Sequence, residues 1–157
     1  MSSPVVMKKG EGKPLWMLGS LYEVRVASDA SGGACTVMEM TIPPGMSAPP
    51  HKHNGAEILY VLEGMFKLHI ENRTVDAGPG TCAFFPKGTL EWMEATGRSP
   101  GKVLVVYAPG GMDKFFTEVA EPAKSRSIPP PPTSPPDVAK LVAAGKRHGL
   151  EIVPPKH

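Results

Sequence analysis

His51, Lys52 and His53 stand together in a short polar run, with Glu57 four residues beyond the second histidine. In an extended strand, residues i and i+2 share a face, with Cα atoms roughly 6.5–7 Å apart. Two imidazoles so placed reach one point about 2.0–2.1 Å from each ring nitrogen, the distance a divalent transition metal requires. Glu57 has the same parity as both histidines, so an unbroken strand would add a carboxylate oxygen to the set. Asn54-Gly55 interrupts the run and reads as a turn or bulge, so parity alone does not place Glu57. The chemistry to which these residue types point is metal binding. His69, His148 and His157 have no ligand-type spacing and read as surface or packing residues.

Strands must carry these side chains, and the sequence supplies them. Alternating apolar and polar residues predict strands at 21–27, 35–42, 57–62, 65–71, 81–85, 90–95 and 102–107, with a short one at 74–76. Gly, Pro, Asn and Ser punctuate the intervals, and Glu63-Gly64 reads as a tight hairpin turn. Many short strands so spaced predict an antiparallel sandwich or barrel over about 21–110, preceded by an arm at 1–20. Residues 111–157 differ in character. Met112, Phe115, Phe116 and Val119 form a helical stripe that should pack on the barrel. Residues 125–136 are a proline-rich connector. Asp137 should cap a short helix at 138–147, with Gly149 closing it and a last extended piece near 152–153.

Composition excludes several function classes. The net charge of +2, with no block of like charges, gives no footprint for nucleic acid or an anionic membrane. The longest apolar runs, near 58–62 and 103–108, are far too short to span a bilayer. The first residues lack the apolar stretch of a secretory signal, and Cys35 and Cys82 do not make a disulfide framework. A cytoplasmic location is the expectation. No phosphate-binding loop, dinucleotide fingerprint or nucleophile elbow is present in the sequence.

The stretch from Gly45 to Gly64 resembles the first cupin motif, G(X)5HXH(X)3,4E(X)6G, at every fixed position. The second cupin motif, G(X)5PXG(X)2H(X)3N, is met by Gly80, Pro86 and Gly88, but its histidine position holds Glu91 and its asparagine position holds Ala95. The order of short segments from Gly19 to Phe116 is also similar to small bacterial single-domain cupins of the quercetin-dioxygenase-like kind. The resemblance implies an all-β jelly-roll barrel with short C-terminal helices, and a site built from His51, His53, Glu57 and Glu91.

Replacing the usual imidazole by Glu91 leaves three readings open. Glu91 is a fourth ligand, and the four donors balance a divalent cation and favour Fe(II) or Mn(II), with Ni, Zn and Cu as further options. Alternatively His51, His53 and Glu57 form a two-histidine, one-carboxylate set, and Glu91 stays free as general base; Glu57 and Glu91 are the catalytic candidates. Or the cavity only binds. The last is disfavoured, because two glutamates facing an apolar cavity with no cation are costly to desolvate. Strand parity turns Leu59, Val61 and Met93 inward and Trp92 outward, and leaves open which of Phe84 and Phe85 faces in; the expected pocket residues are these three with Phe84, Met38 and Met40. An apolar or aromatic small molecule is the expected partner. The resemblance then implies a dioxygenase acting on a flavonol- or diketone-like substrate, with a metal-dependent cyclase or isomerase and a non-enzymatic binder as alternatives. Exposed sheet edges make a homodimer the expected assembly.

Overall fold

A computed structural model describes residues 3–154. In chain order, its first strands are β1 (Lys13–Met17), β2 (Ser20–Val26), β3 (Thr36–Ile42), β4 (His51–His53), β5 (Ala56–Glu63) and β6 (Phe66–Ile70). Then come β7 (Arg73–Ala77), β8 (Cys82–Phe85), β9 (Glu91–Ala95) and β10 (Gly101–Ala108), followed by α1 (Met112–Val119), β11 (Glu121–Pro122), α2 (Val138–Arg147) and β12 (Leu150–Ile152). The predicted strands and both helices are present, with ends shifted by a residue or so. Among the described residues no helix is long and apolar enough to cross a membrane.

The strands form two antiparallel sheets. One has seven strands in the order β11-β1-β2-β3-β10-β5-β8, and the other has five in the order β12-β4-β9-β6-β7. This is an all-β jelly roll in which the chain changes layer at every step from β3 to β6 and again from β7 to β10. Period-2 patterning fills the space between them. Met38, Met40 and Ile42 of β3, Val103 and Val105 of β10, and Leu59 and Val61 of β5 point inward from the large sheet and are buried. Phe66 and Leu68 of β6 and Ala95 of β9 meet them from the small sheet. Phe66 is wholly enclosed, and its ring lies against Gly101, where any Cβ would stand 2.4 Å from it. That contact lets the sheets close at this end. The hairpin predicted at Glu63-Gly64 is not formed: β5 and β6 lie in different sheets, and Gly64, at φ 76° and seated against the backbone of Gly101, turns the chain from one layer to the other.

The flanking segments lie against the barrel. β1 pairs with β2 along its whole length and with β11 on its other side. The proline-rich connector runs over the outer face of β1 and β2. There the Trp16 indole N–H donates to the Ser127 carbonyl at 2.8 Å, and Arg126 donates to the Gly12 carbonyl and pairs with Glu23 at 3.3 Å. Asp137 accepts from the Lys140 backbone N–H at 3.0 Å, capping α2 as predicted. Glu118 of α1 pairs with Arg147 and, at 2.6 Å, with His148 at the end of α2. Gly149 then turns the chain at φ 76° into β12.

Candidate metal centre

The imidazoles of His51 and His53 leave the same face of β4, as the H-x-H spacing predicts. That strand is only three residues long and depends on its neighbours. On one side β12 pairs with all of it, Ile152 opposite His51, Glu151 opposite Lys52 and Leu150 opposite His53. Two flanking bonds extend the pairing, from Asn54 N–H to the Gly149 carbonyl at 2.7 Å and from Val153 N–H to the Pro50 carbonyl at 2.8 Å. On the other side β9 pairs at one position, His51 opposite Glu91. The Gly88 N–H donates to the His53 carbonyl at 3.0 Å. The Pro86-Lys87-Gly88 turn is thereby tied to the ligand strand.

Glu57 arrives differently from the simple parity argument. Asn54-Gly55 ends β4, and β5 begins in the opposite sheet. At Gly55 a Cβ would stand 2.8 Å from the Ala108 carbonyl oxygen, so the switch between sheets is made at a residue with no side chain. His51, His53 and Glu91 therefore face the cavity from the small sheet, and Glu57 faces it from the large one.

The four side chains converge. Their ligand atoms all lie within 4.8 Å of one another. The His51 Nε2–Glu91 Oε1 distance is 3.2 Å, His53 Nε2–Glu57 Oε2 is 3.1 Å and His53 Nε2–Glu91 Oε1 is 3.7 Å. The two rings stand nearly perpendicular, with centroids 4.8 Å apart. The His51 Nδ1–H donates to the Pro49 carbonyl at 2.8 Å, which leaves Nε2 with its lone pair toward the cluster. By contrast both nitrogens of His53, Oε2 of Glu57 and Oε2 of Glu91 are buried with no hydrogen-bond partner. Close approach without bonding alignment means that these atoms aim at a shared point between them. Each orphaned atom is costly unless something occupies that point.

Electrostatics carry the same message. Burial, reinforced by the charge of His51, lowers the His53 pKa to about 3, so this imidazole is neutral. Burial, and then the hydrogen bond from Glu57, raises Glu91 to about 8. Burial also raises Glu57. At His51 burial works downward, but the Glu91 hydrogen bond and the nearby carboxylates outweigh it and the pKa rises. Tyr107, whose ring centroid is 5.0 Å from that of His53, is held as a neutral phenol by burial and by the charges of Glu57 and Glu91. Both carboxyls are pushed toward the neutral form by their burial, the penalty that a neighbouring cation would relieve.

The cluster forms the polar end of an apolar cavity of about 90 Å³. Of the residues expected in its wall, Met40, Leu59 and Met93 are there. Met38 and Val61 share the inward face but lie fully buried in the core without reaching the wall. Phe84 requires correction. It points outward and is 64% exposed, while Phe85 is 4% exposed and lines the cavity. The physical reason is register, since Glu57 pairs with Phe85 and the inward phase of β5 is imposed on β8. Trp92 stacks flat on His69, with centroids 4.4 Å apart, and also borders the cavity. Parity could not find the rest of the wall. Met112, Phe115 and Phe116 of α1, Leu141 of α2, and Leu150 and Ile152 of β12 close it from the C-terminal segment. The only sequence signal for these was the helical stripe, and it pointed to packing alone.

Comparisons with known proteins agree with this architecture. A cupin domain family model matches residues 38–107. No curated protein sequence matches the chain. Among solved structures, a predicted oxalate decarboxylase from Thermotoga maritima is similar with a TM-score of 0.63 at 24% identity, covering 67% of this chain and 99% of the other. An RmlC-like cupin from Shewanella frigidimarina has a TM-score of 0.60 at 15% identity, covering 73% and 99%. KdgF from a Halomonas species has a TM-score of 0.56 at 19% identity, covering 62% and 87%. At these identities the likeness is one of fold. The matched segment holds all or most of β3, β5, β8 and β10, four of the seven strands of the large sheet, and all four converging donors; over that segment the chain is similar to the cupin domain.

Proposed function

We propose that the chain is a metal-dependent cupin that acts on a small enolic or aromatic molecule, with oxygen-dependent cleavage as the reaction. The observation that carries this reading is the set of four converging donors, three of them buried with orphaned atoms, at one end of an apolar cavity. Two neutral imidazoles and two carboxylates balance a divalent charge and suit Fe(II) or Mn(II) better than softer ions. His51, His53, Glu57 and Glu91 would hold the ion, one per chain. When bound, such an ion supplies the Lewis acidity and redox capacity that the side chains lack.

The chain's own residues supply position and proton handling. Met40, Leu59 and Phe85 exclude water and leave an apolar ligand one polar direction in which to point, toward the cluster. Glu91 faces the cavity beside both histidines, where its carboxylate, ionised beside a bound cation, would be placed to accept the proton of an enol or phenol. The cavity of about 90 Å³ is smaller than the roughly 150 Å³ that accommodates benzene in an engineered protein core. That size favours a diketone-like molecule over a flavonol. The same proton-accepting carboxylate supports a second reading, a cyclase or isomerase that moves a proton and consumes no oxygen.

Metal-loaded protein given acetylacetone, and separately a flavonol, is the direct test. Oxygen uptake coupled to loss of the substrate absorbance is expected. Product formation without oxygen uptake moves the assignment to the second reading, and tight binding without turnover reduces the chain to a binder. Glu91→Ala should lose the metal. Retained metal with lost turnover would make Glu91 the proton acceptor and leave three ligands.

A further inference from the structure

Among the described residues, two that are not glycine hold a left-handed backbone, Leu18 at φ 51° and Glu71 at φ 53°. The Cβ of an L-amino acid is crowded against a carbonyl oxygen there, and such conformations persist only where the surroundings impose them. At Glu71 the surroundings are plain. Its backbone N–H donates to the Leu90 carbonyl at 2.8 Å, and its carboxylate accepts the Leu90 N–H at 3.0 Å. Leu18 has no such reason, because an alkyl side chain makes no hydrogen bond.

Leu18-Gly19 is the two-residue loop that joins β1 to β2, with Met17 paired to Ser20 across it. Both loop residues have positive φ, Gly19 at 76°. That is the primed hairpin turn whose twist suits the flanking strands, and its first position favours Asn, Asp or Gly. Local turn chemistry therefore argues against leucine. The hairpin tip is also held from outside. A Cβ on Gly19 would stand 3.1 Å from Met46 Cε and 3.9 Å from Pro132 Cδ. The tip is thus seated between the loop that leads to the histidine strand and the proline-rich connector. Trp16, beside it on β1, bonds to the same connector at Ser127.

The cavity supplies the missing reason. Leu18 is half-buried and lines the space whose polar end is the cluster of His51, His53, Glu57 and Glu91. Register separates the two. Glu57 lies level with Tyr107, and Tyr107 with Thr36 at the start of β3. The hairpin tip lies beyond Leu21, which is opposite Thr41 near the far end of β3. From Thr36 to Thr41 is roughly 17 Å at the rise of an extended strand. Tyr22, Met40 and Leu59 line the interval.

We propose that Leu18 is a specificity-determining residue whose side chain closes the cavity at the end away from the cluster and limits the length of the molecule that fits. The backbone strain is retained because the cavity needs an alkyl group at that spot. This role rests on the reading of the cavity as the seat of a small diketone-like molecule. An alkyl stop offers no donor or acceptor, so it suits a short apolar terminus, while the enolic end points to the cluster. An aryl terminus is excluded, since the cavity of about 90 Å³ falls below the roughly 150 Å³ that holds benzene.

The full chain, Leu18→Asn and Leu18→Gly, each loaded with Mn(II), provide the test. Thermal unfolding reads the strain. Leu18 borders a cavity and not a filled core, so its loss removes few contacts. Leu18→Asn should therefore raise the unfolding midpoint by about 2–4 °C. Equilibrium binding, followed by the diketone absorbance, reads the length limit. In Leu18→Gly the ratio of benzoylacetone affinity to acetylacetone affinity should rise at least about tenfold, the discrimination an apolar wall exerts on a group of methylene size. A midpoint that falls in Leu18→Asn overturns the proposal, because the leucine is then a packing residue. An unchanged affinity ratio also overturns it and places the length limit elsewhere, even if acetylacetone is turned over with oxygen uptake. A raised ratio without oxygen uptake from either diketone supports the length limit and removes the oxygenase reading. Binding of neither diketone by any of these proteins overturns both.

Discussion

Among the sites that bury carboxylates, two solve the problem in opposite ways. Asp113, in the first turn of α1, is 7% exposed. Its Oδ1 accepts from the Thr36 hydroxyl at 2.6 Å and its Oδ2 from the Ser28 hydroxyl at 3.2 Å. The Thr36 oxygen in turn accepts the Gly111 N–H at 3.0 Å. Every oxygen there has a donor. Glu57 and Glu91 are buried as deeply, at 5% and 4%, yet each keeps an oxygen with no partner, and no hydroxyl is supplied to either. Both arrangements tie strands to neighbouring elements. Only the second aims unpartnered acceptors at one shared point. A buried acid given hydroxyl donors is part of the fold. One given imidazoles and another acid is a receptor for positive charge.

Substitutions at the two sites should therefore separate completely. The largest effect is expected for His53→Ala, which should weaken Mn(II) or Fe(II) binding by more than about a hundredfold in a chelator competition, beyond the 10–100-fold typical of supporting residues. Asp113→Asn should leave that affinity unchanged. Equal losses from both would erase the distinction. Next comes Thr36→Val, which removes one donor from Asp113 and the acceptor for Gly111. It should cost about 2–3 kcal/mol in urea unfolding with full metal content retained.

The third test uses pH. In metal-free protein Glu91, Glu57 and His51 have raised pKa values, so the folded state holds protons that the unfolded chain has released. That stabilisation is complete at low pH and fades as pH climbs through the folded values. His53 is lowered to about 3 and acts in the opposite sense, but only below its unfolded value near 6.5. Between pH 6.5 and about 8, then, metal-free protein should lose stability, by on the order of 1–2 kcal/mol. Metal-loaded protein should not, because the cation replaces the protons. A flat profile in both forms would show that the carboxylates are not strained. The smallest effect is expected for His69→Ala. It removes the Trp92 stack and should cost about 0.5–1 kcal/mol with no change in metal affinity.

Much of this was readable from residue types and periods. Alternation located the strands of the barrel, and the H-x-H pair with Glu57 and Glu91 named the residues that meet. What escaped has identifiable causes. Parity tells which face a residue occupies but not its height along the strand. Met38 and Met40 were for that reason indistinguishable, although only Met40 reaches the cavity. Phe84 and Phe85 are adjacent aromatics, so composition could not choose between them, and pairing with β5 does. The route of Glu57 into the site depends on a change of sheet at Gly55, whose need for a bare backbone arises from Ala108, far along the chain. The C-terminal wall was hidden for the same reason. Leu150 and Ile152 meet His53 and His51 only through a pairing between distant segments, and no local pattern announces it.

That last pairing has a consequence for the order of events during synthesis. A nascent chain that has already emitted everything from residue 38 to residue 107 owns all four donors, yet the strip bearing His51 and His53 still has a vacant flank. It gains its neighbour only once residue 153 has cleared the ribosome. The final positioning of His51 and His53 is thereby placed late, after residues 38–107 have emerged.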